Sequence, residues 1–229
     1  EEARFFAVRD KGSFGLVSPF AVSKVRKIPD PAFLIPRRVE RSPLKGIIGV
    51  NLRVWNYDQK RTYDNKKWGE AVNRLPGKKT AVPLSFLNEA NDIDALSGIA
   101  GEQNKRFDMH LYGNLEAMVG MRLHSLIFAV QNSIPVIGVA YAPKVSRFFS
   151  ELGMSEYCLG LDECGRLPEV YSAVLAGKEK IAAGLKSYTF EAESALKAFI
   201  TDIKLIIERG CASRPATQER GCASRPATQ

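Results

Sequence analysis

Cysteine is scarce in the body of this chain, histidine scarcer, and no hydrophobic run is long. Of the 4 cysteines, Cys211 and Cys222 sit near the end, which leaves Cys158 and Cys164. Two cysteines in one loop with no histidine nearby make neither a zinc site nor a disulfide framework, so a reducing compartment is the simplest setting. The longest apolar run, Ile134 to Ala142, is broken by Pro135 and Gly138 and is far too short to cross a bilayer. No G-x-G-x-x-G follows a strand-like run, which argues against a nicotinamide cofactor. A basic-then-apolar leader is missing as well, and the chain opens Glu1-Glu2 without a methionine, as expected of a processed or partial protein.

What is present fits a globular protein. The chain has 229 residues, 45% apolar and 25% charged, enough to bury a core. Lys and Arg number 33 against 25 Asp and Glu, a net charge of +8. An excess of this size suits an anionic partner, and serves solubility equally well. The basic residues are dispersed and no aromatic-interleaved motif stands out, so nucleic acid is not an expected partner.

Three segments are expected. Residues 1–45 hold a strand at Arg4–Val8, a short helix at Ser13–Phe20, an extended connector over Val25–Ile35 that contains Pro29 and Pro31 and is closed by Pro36, and a basic linker from Arg37 to Lys45. Residues 46–207 alternate strand-like and helical runs. Strands are expected at Gly46–Leu52, Ala81–Phe86, Phe107–Tyr112, Leu115–Met121, Pro135–Tyr141 and Glu156–Leu161. Helices are expected at Lys66–Leu75, Asp92–Gln103, Leu123–Gln131 and Lys144–Leu152, with a terminal helix pair over Lys178–Glu208. Strands that are apolar throughout and alternate with helices predict an α/β fold, a Rossmann-type parallel sheet covered on both faces. Residues 208–229 repeat ERGCASRPATQ twice; the unit has no apolar period, and a disordered tail is expected.

In such sheets ligands bind beyond the carboxyl ends of the strands. That rule selects Arg9-Asp10, the segment after Val50, Gly120 to His124, and Tyr141 to Lys144. Arg122 offers a planar fork for a carboxylate or phosphate, His124 a group that titrates near neutrality, and Lys144 an ammonium at the next strand-to-helix junction. Each also has a plainer reading: a helix-start histidine as a surface residue, Lys144 as a solvated side chain, Arg122 as the partner of a carboxylate. His110, alone in an apolar run, is taken as structural. No metal site is expected.

The stretch Gly120-Met121-Arg122-Leu123-His124-Ser125-Leu126-Ile127-Phe128-Ala129, then Ile134 to Tyr141 and Lys144, closely resembles the signature of the polysaccharide pyruvyl transferase family. Phe6 to Ser13 is similar to its R-D-x-x-S segment, Asp30-Pro31-Ala32-Phe33 to its D-P-A-F element, and Gly49 to Arg53 to the first strand of its second domain. The resemblance implies that residues 46–207 are the C-terminal domain of a GT-B-like pair of Rossmann domains, and residues 1–45 the remnant of the first. It implies transfer of pyruvate from phosphoenolpyruvate to two hydroxyls of a sugar as a cyclic ketal, with phosphate released and no cofactor. His124 would then be the acid–base, with Arg122 and Lys144 clamping the anionic groups and Arg9 as a further anion ligand. The acceptor would be a sugar or lipid-linked glycan of a cell-surface polysaccharide, handled in the cytoplasm with peripheral contact to the inner membrane face allowed. The chain alone would be inactive or nearly so. The alternatives are a nucleotide-sugar glycosyltransferase or epimerase of similar architecture, and a non-catalytic fragment that binds a glycan or anion.

Overall fold

The computed structural model describes residues 5–21, 24–36, 46–54, 64–87 and 91–212, with side chains to residue 208. Five parallel strands form the main sheet: β3 (Ile47–Asn51), β4 (Lys78–Ala81), β5 (Ala117–Gly120), β6 (Val136–Ala140) and β7 (Cys158–Gly160), in the order β4-β3-β5-β6-β7. Ahead of it, β1 (Phe6–Val8) and β2 (Val25–Lys27) form a two-stranded parallel sheet joined by α1 (Lys11–Val17). The main sheet is flanked by α2 (Asn65–Asn73), α4 (Leu123–Gln131), α5 (Pro143–Glu151) and α6 (Leu167–Ala176), and α7 (Lys178–Ala212) packs on α4 and α6. A short helix, α3 (Asp92–Leu96), lies between β4 and β5. This is the expected α/β, Rossmann-type parallel sheet.

The core confirms why the strands read as continuous apolar runs. Ile48, Val50, Ala117, Val119, Val136, Ile137 and Val139 are fully buried or nearly so, as strands covered on both faces must be. Gly138, in the middle of β6, shows how closely a helix approaches. A Cβ there would overlap the ring of Phe149 on α5. Gly138→Ala is therefore expected to destabilise the domain by about 1–3 kcal/mol through overpacking, read as a lower urea midpoint at unchanged slope. An unchanged midpoint would show that Phe149 can step aside at no cost.

Several elements depart from the sequence reading. The second strand lies at Lys78–Ala81, not Ala81–Phe86. Lys79 is buried because its ammonium donates to the carbonyls of Asn73, Leu75 and Gly77 at the end of α2, so a residue that reads as solvent-facing belongs to the sheet. Pro83, with no N–H to give, marks the end of pairing just after Val82 bonds to Val50. The expected strand at Phe107–Tyr112 is a 3₁₀ turn over Met109–Asn114, started by the Asp108 side chain accepting from the His110 N–H at 2.8 Å. Its apolar residues pack as a plug: Tyr112 is fully buried and meets Phe128 edge-on at 6.1 Å. His110 is exposed there, not set in a strand. The chain from Val82 to Glu116 carries the connection back past β3 to β5.

The helix expected over Asp92–Gln103 is only α3, and beyond it Gly101 takes φ +134 so that Glu102 can bridge to Thr80. Part of the expected connector, Val25–Lys27, pairs with β1 as a strand. The terminal segment is one helix, α7, and it runs through Ala212 into the first copy of the duplicated unit. The basic linker and the remaining tail lie outside the described residues.

Candidate active site

The strand order places a topological switch point between β3 and β5. From β3 the chain first adds β4 on one side, then returns to place β5 on the other. Ligands of open α/β sheets bind in the crevice at such a point. Here the crevice floor is a polar network. Asn51, the last residue of β3, accepts from the Arg122 N–H at 2.9 Å through its side-chain oxygen. The Asn51 amide donates to the Val82 carbonyl at 2.9 Å and to the Asp92 carboxylate at 3.1 Å. Asp92, with no solvent exposure, also accepts from the Leu84 and Ser85 N–H groups at 2.9 and 3.1 Å. Arg122 completes the network, donating from Nε to both Asp92 oxygens at 2.7 Å and from Nη2 at 2.6 Å. The Arg122 side chain is 18% exposed, so its charge sits at the rim of the crevice, held by Asp92.

Next along the sheet, α4 and α5 begin directly after β5 and β6. Neither has a side-chain cap or an acidic residue in its first turn. Both carry cationic or titratable groups there instead: Arg122 and His124 at α4, Lys144 at α5. A cation at a helix N-terminus works against the helix dipole, so these residues do not serve the helices. Two uncapped mouths with added cations form an anion-attracting rim.

His124 is 53% exposed and lies flat against Phe128, with ring centroids 6.3 Å apart. Its Nε2 stands 3.8 Å from Oδ1 of Asp30, within ion-pair range and beyond direct hydrogen bonding. Asp30 follows β2, and its side chain is 8% exposed. It accepts from Arg9 Nη1 at 2.7 Å and from the Ala32 N–H at 2.9 Å. Burial on its own would raise the Asp30 carboxyl, but His124, the Ala32 N–H and Arg9 outweigh it and hold the group well below the usual carboxylate range. The Lys144 ammonium lies 5.1 Å from the Tyr141 ring centroid, a cation–π distance, and is otherwise exposed.

Arg9, Asp30 and Lys144 line one narrow cavity of about 20 Å³ with Leu123, Phe148 and Tyr188. That is room for a water, not for a substrate. A second cavity of about 320 Å³, lined by Lys11, Lys27, Glu151, Tyr188 and Glu191, shares the Glu151 and Tyr188 walls with it. The structure thus gathers His124, Lys144 and Arg9 around Asp30, and turns Arg122 toward Asp92. Asp30, Asp92 and Asn51 were not singled out as site residues by sequence reasoning. For Asp30 a signal existed, the Asp-Pro-Ala-Phe segment. For Asp92, one acidic residue at a helix start, none did.

The same region carries the comparison with known proteins. Residues 109–143, which hold β5, α4 and β6, match one family model. It describes the polysaccharide pyruvyl transferases. The chain is similar to that family over the elements that present Arg122 and His124, and Lys144 follows directly. No curated protein matches the chain by sequence. Among solved structures, a mutant of the Thermobaculum terrenum O-GlcNAc transferase superposes with a TM-score of 0.50 at 12% identity, over 81% of this chain and 41% of its own. The pneumococcal O-GlcNAc transferase GtfA, in complex with UDP and GlcNAc, gives 0.51 at 16% identity, over 90% and 45%. These likenesses show the fold, that of GT-B glycosyltransferases, and this chain spans less than half of either protein. Among the described residues no helix is long and apolar enough to cross a membrane, and no group of three or more His, Cys, Asp or Glu could hold a metal ion.

Proposed function

We propose that this chain carries the donor half of a pyruvyl transferase, which moves the enolpyruvyl carbons of phosphoenolpyruvate onto two hydroxyls of a sugar. The observation behind the reading is that the segment matching the family also supplies His124 and Arg122 at the switch point, with Lys144 and Arg9 beside them. Phosphoenolpyruvate has a carboxylate and a phosphate, and cations are needed at both ends. Lys144 and Arg9 are the groups on the cavity rim that can meet them. Arg122 adds positive charge at the strand end, with part of its fork committed to Asp92. The cavity itself is too small for the donor, which would lie at its mouth against the exposed sides of His124 and Lys144.

His124 would deliver a proton to the methylene carbon, leaving an oxocarbenium-like centre at C2. One sugar hydroxyl oxygen bonds to C2 and returns its proton to the imidazole. The second hydroxyl oxygen then displaces the phosphate, which departs with the remaining proton, and the cyclic ketal is complete. The 320 Å³ cavity beyond Tyr188 adjoins the small one and has room for an acceptor of sugar size. Acceptor identity, contact with a membrane face and cytoplasmic handling are parts of the same proposal.

The test is calorimetry of the chain with phosphoenolpyruvate and, in parallel, with a nucleotide sugar. Saturable binding of phosphoenolpyruvate that Lys144→Ala weakens at least tenfold is the expected result. Saturable binding of the nucleotide sugar instead would replace this reading with glycosyl transfer.

A further inference from the structure

An imidazole as exposed as that of His124 needs a partner to hold it in place. It sits in the first turn of α4, after Arg122. Among the neighbouring charged groups, Arg9 and Lys144 line the small cavity with Asp30, Arg122 precedes His124 at the start of its helix, and Asp92 is spent on Arg122. From the segment before β5, Phe107 packs on Phe128 beneath the imidazole, with Asp108 the neighbouring acid. Asp30 is the anion that faces His124, and it arrives from a different part of the chain, after β2.

We propose that Asp30 is a positioning residue for His124, holding the imidazole over Phe128 and favouring its protonated form, so that it is loaded as an acid. This rests on the reading of His124 as the acid. Asp30 is suited to the work because it cannot drift: its second oxygen is fixed by Arg9 at 2.7 Å, and its first by the Ala32 N–H at 2.9 Å. The same Oδ1 that caps the turn at Pro31–Leu34 is the one that faces Nε2 of His124 at 3.8 Å. A small rotation of the exposed imidazole closes that gap to a hydrogen bond. With the donor's methylene carbon at the cavity mouth, the carboxylate stays behind the ring as the proton leaves it.

The experiment is acylation by diethyl pyrocarbonate, which attacks only the neutral imidazole, followed residue by residue by peptide mass spectrometry. The chain has 2 histidines, and Arg106 and Arg122 put them on separate tryptic peptides, so exposed His110 is the internal control. In Asp30→Asn the turn keeps an acceptor for Ala32 but loses the charge. The rate at His124 is expected to rise roughly two- to fivefold at pH 6, as removal of an exposed ion pair allows, and to match the parent at pH 8.5. Asp30→Glu should bring the pH 6 rate back toward the parent. An unchanged rate at pH 6 with normal His110 reactivity would overturn the proposal. So would a rise at both pH values or one shared by His110, since that marks a purely structural role. The result stands apart from the transferase reading, which fails on its own if phosphoenolpyruvate is not bound.

Discussion

Replacing His124 by alanine is expected to lower phosphate release from phosphoenolpyruvate by about 10²–10⁴-fold, the range that a positioned general acid contributes. The same variant should bind phosphoenolpyruvate nearly as well as the parent. Proton transfer to the methylene carbon belongs to the transition state, and a group needed only there contributes little to holding the ground state. Lys144→Ala should show the opposite split, because an ammonium meets the donor's anionic groups before reaction as well as during it. A phosphate-release assay with a saturating acceptor separates the two: kcat falls for the first variant, and KM for the donor rises for the second. The chain spans less than half of the structures it resembles, so the assay belongs on the protein as it occurs in the cell. Near-normal turnover in His124→Ala would remove the histidine from the chemistry. Loss of donor binding in that variant would recast it as an anion ligand. Neither outcome would touch the fold.

The second large effect concerns stability. Asp92→Ala is expected to cost about 3–5 kcal/mol, the penalty for removing one member of a buried ion pair. The carboxylate has no solvent exposure and accepts from Arg122, from Asn51, and from the Leu84 and Ser85 N–H groups. Alanine would leave all of these donors facing a space without an acceptor. Domains of ordinary stability hold about 5–15 kcal/mol in all, so the variant should be close to unfolding at ambient temperature. Asp92→Asn keeps one acceptor oxygen but turns an N–H₂ toward other donors, and should lose less than alanine does. Urea unfolding followed by circular dichroism measures both. A loss under about 1 kcal/mol for Asp92→Ala, the size expected of an exposed pair, would show that water replaces the carboxylate and that the network is not sealed. Fold and site are linked at this residue: Asp92 holds the Arg122 guanidinium at the strand end, so donor binding should also weaken in whatever fraction of the variant stays folded.

The elements that hold the candidate site were the easiest to read. The α4 helix was expected at Leu123–Gln131 and is found there, while β6 and α5 differ from expectation by about one residue at each end. These are segments where local pattern and tertiary demand agree: a buried parallel strand is apolar throughout, and the helix after it is amphipathic or wholly covered. The failures cluster between Lys78 and Asn114, where they disagree. Lys79 is a charged residue in a strand because its ammonium reaches the carbonyls at the end of α2. The Phe107–Tyr112 run is apolar because it plugs the core from a turn. Composition in a short window is the same in either case, so only the partners tell them apart.

The sequence by itself determined the sheet type, the junctions at which cations collect, and the short stretch over residues 109–143 that matches a known family model. All of these are encoded locally, in the apolar period of a segment or in its residue order. Only the tertiary structure decided the strand order, and with it the switch point between β3 and β5. It alone brought Asp30 from the first segment of the chain to His124, and gave Arg122 to Asp92 instead of leaving it unmet. Hydrophobic burial depends on a residue's own neighbours and so leaves a periodic trace. An ion pair between distant segments depends on where two backbones meet, which no period records and only the folded chain supplies.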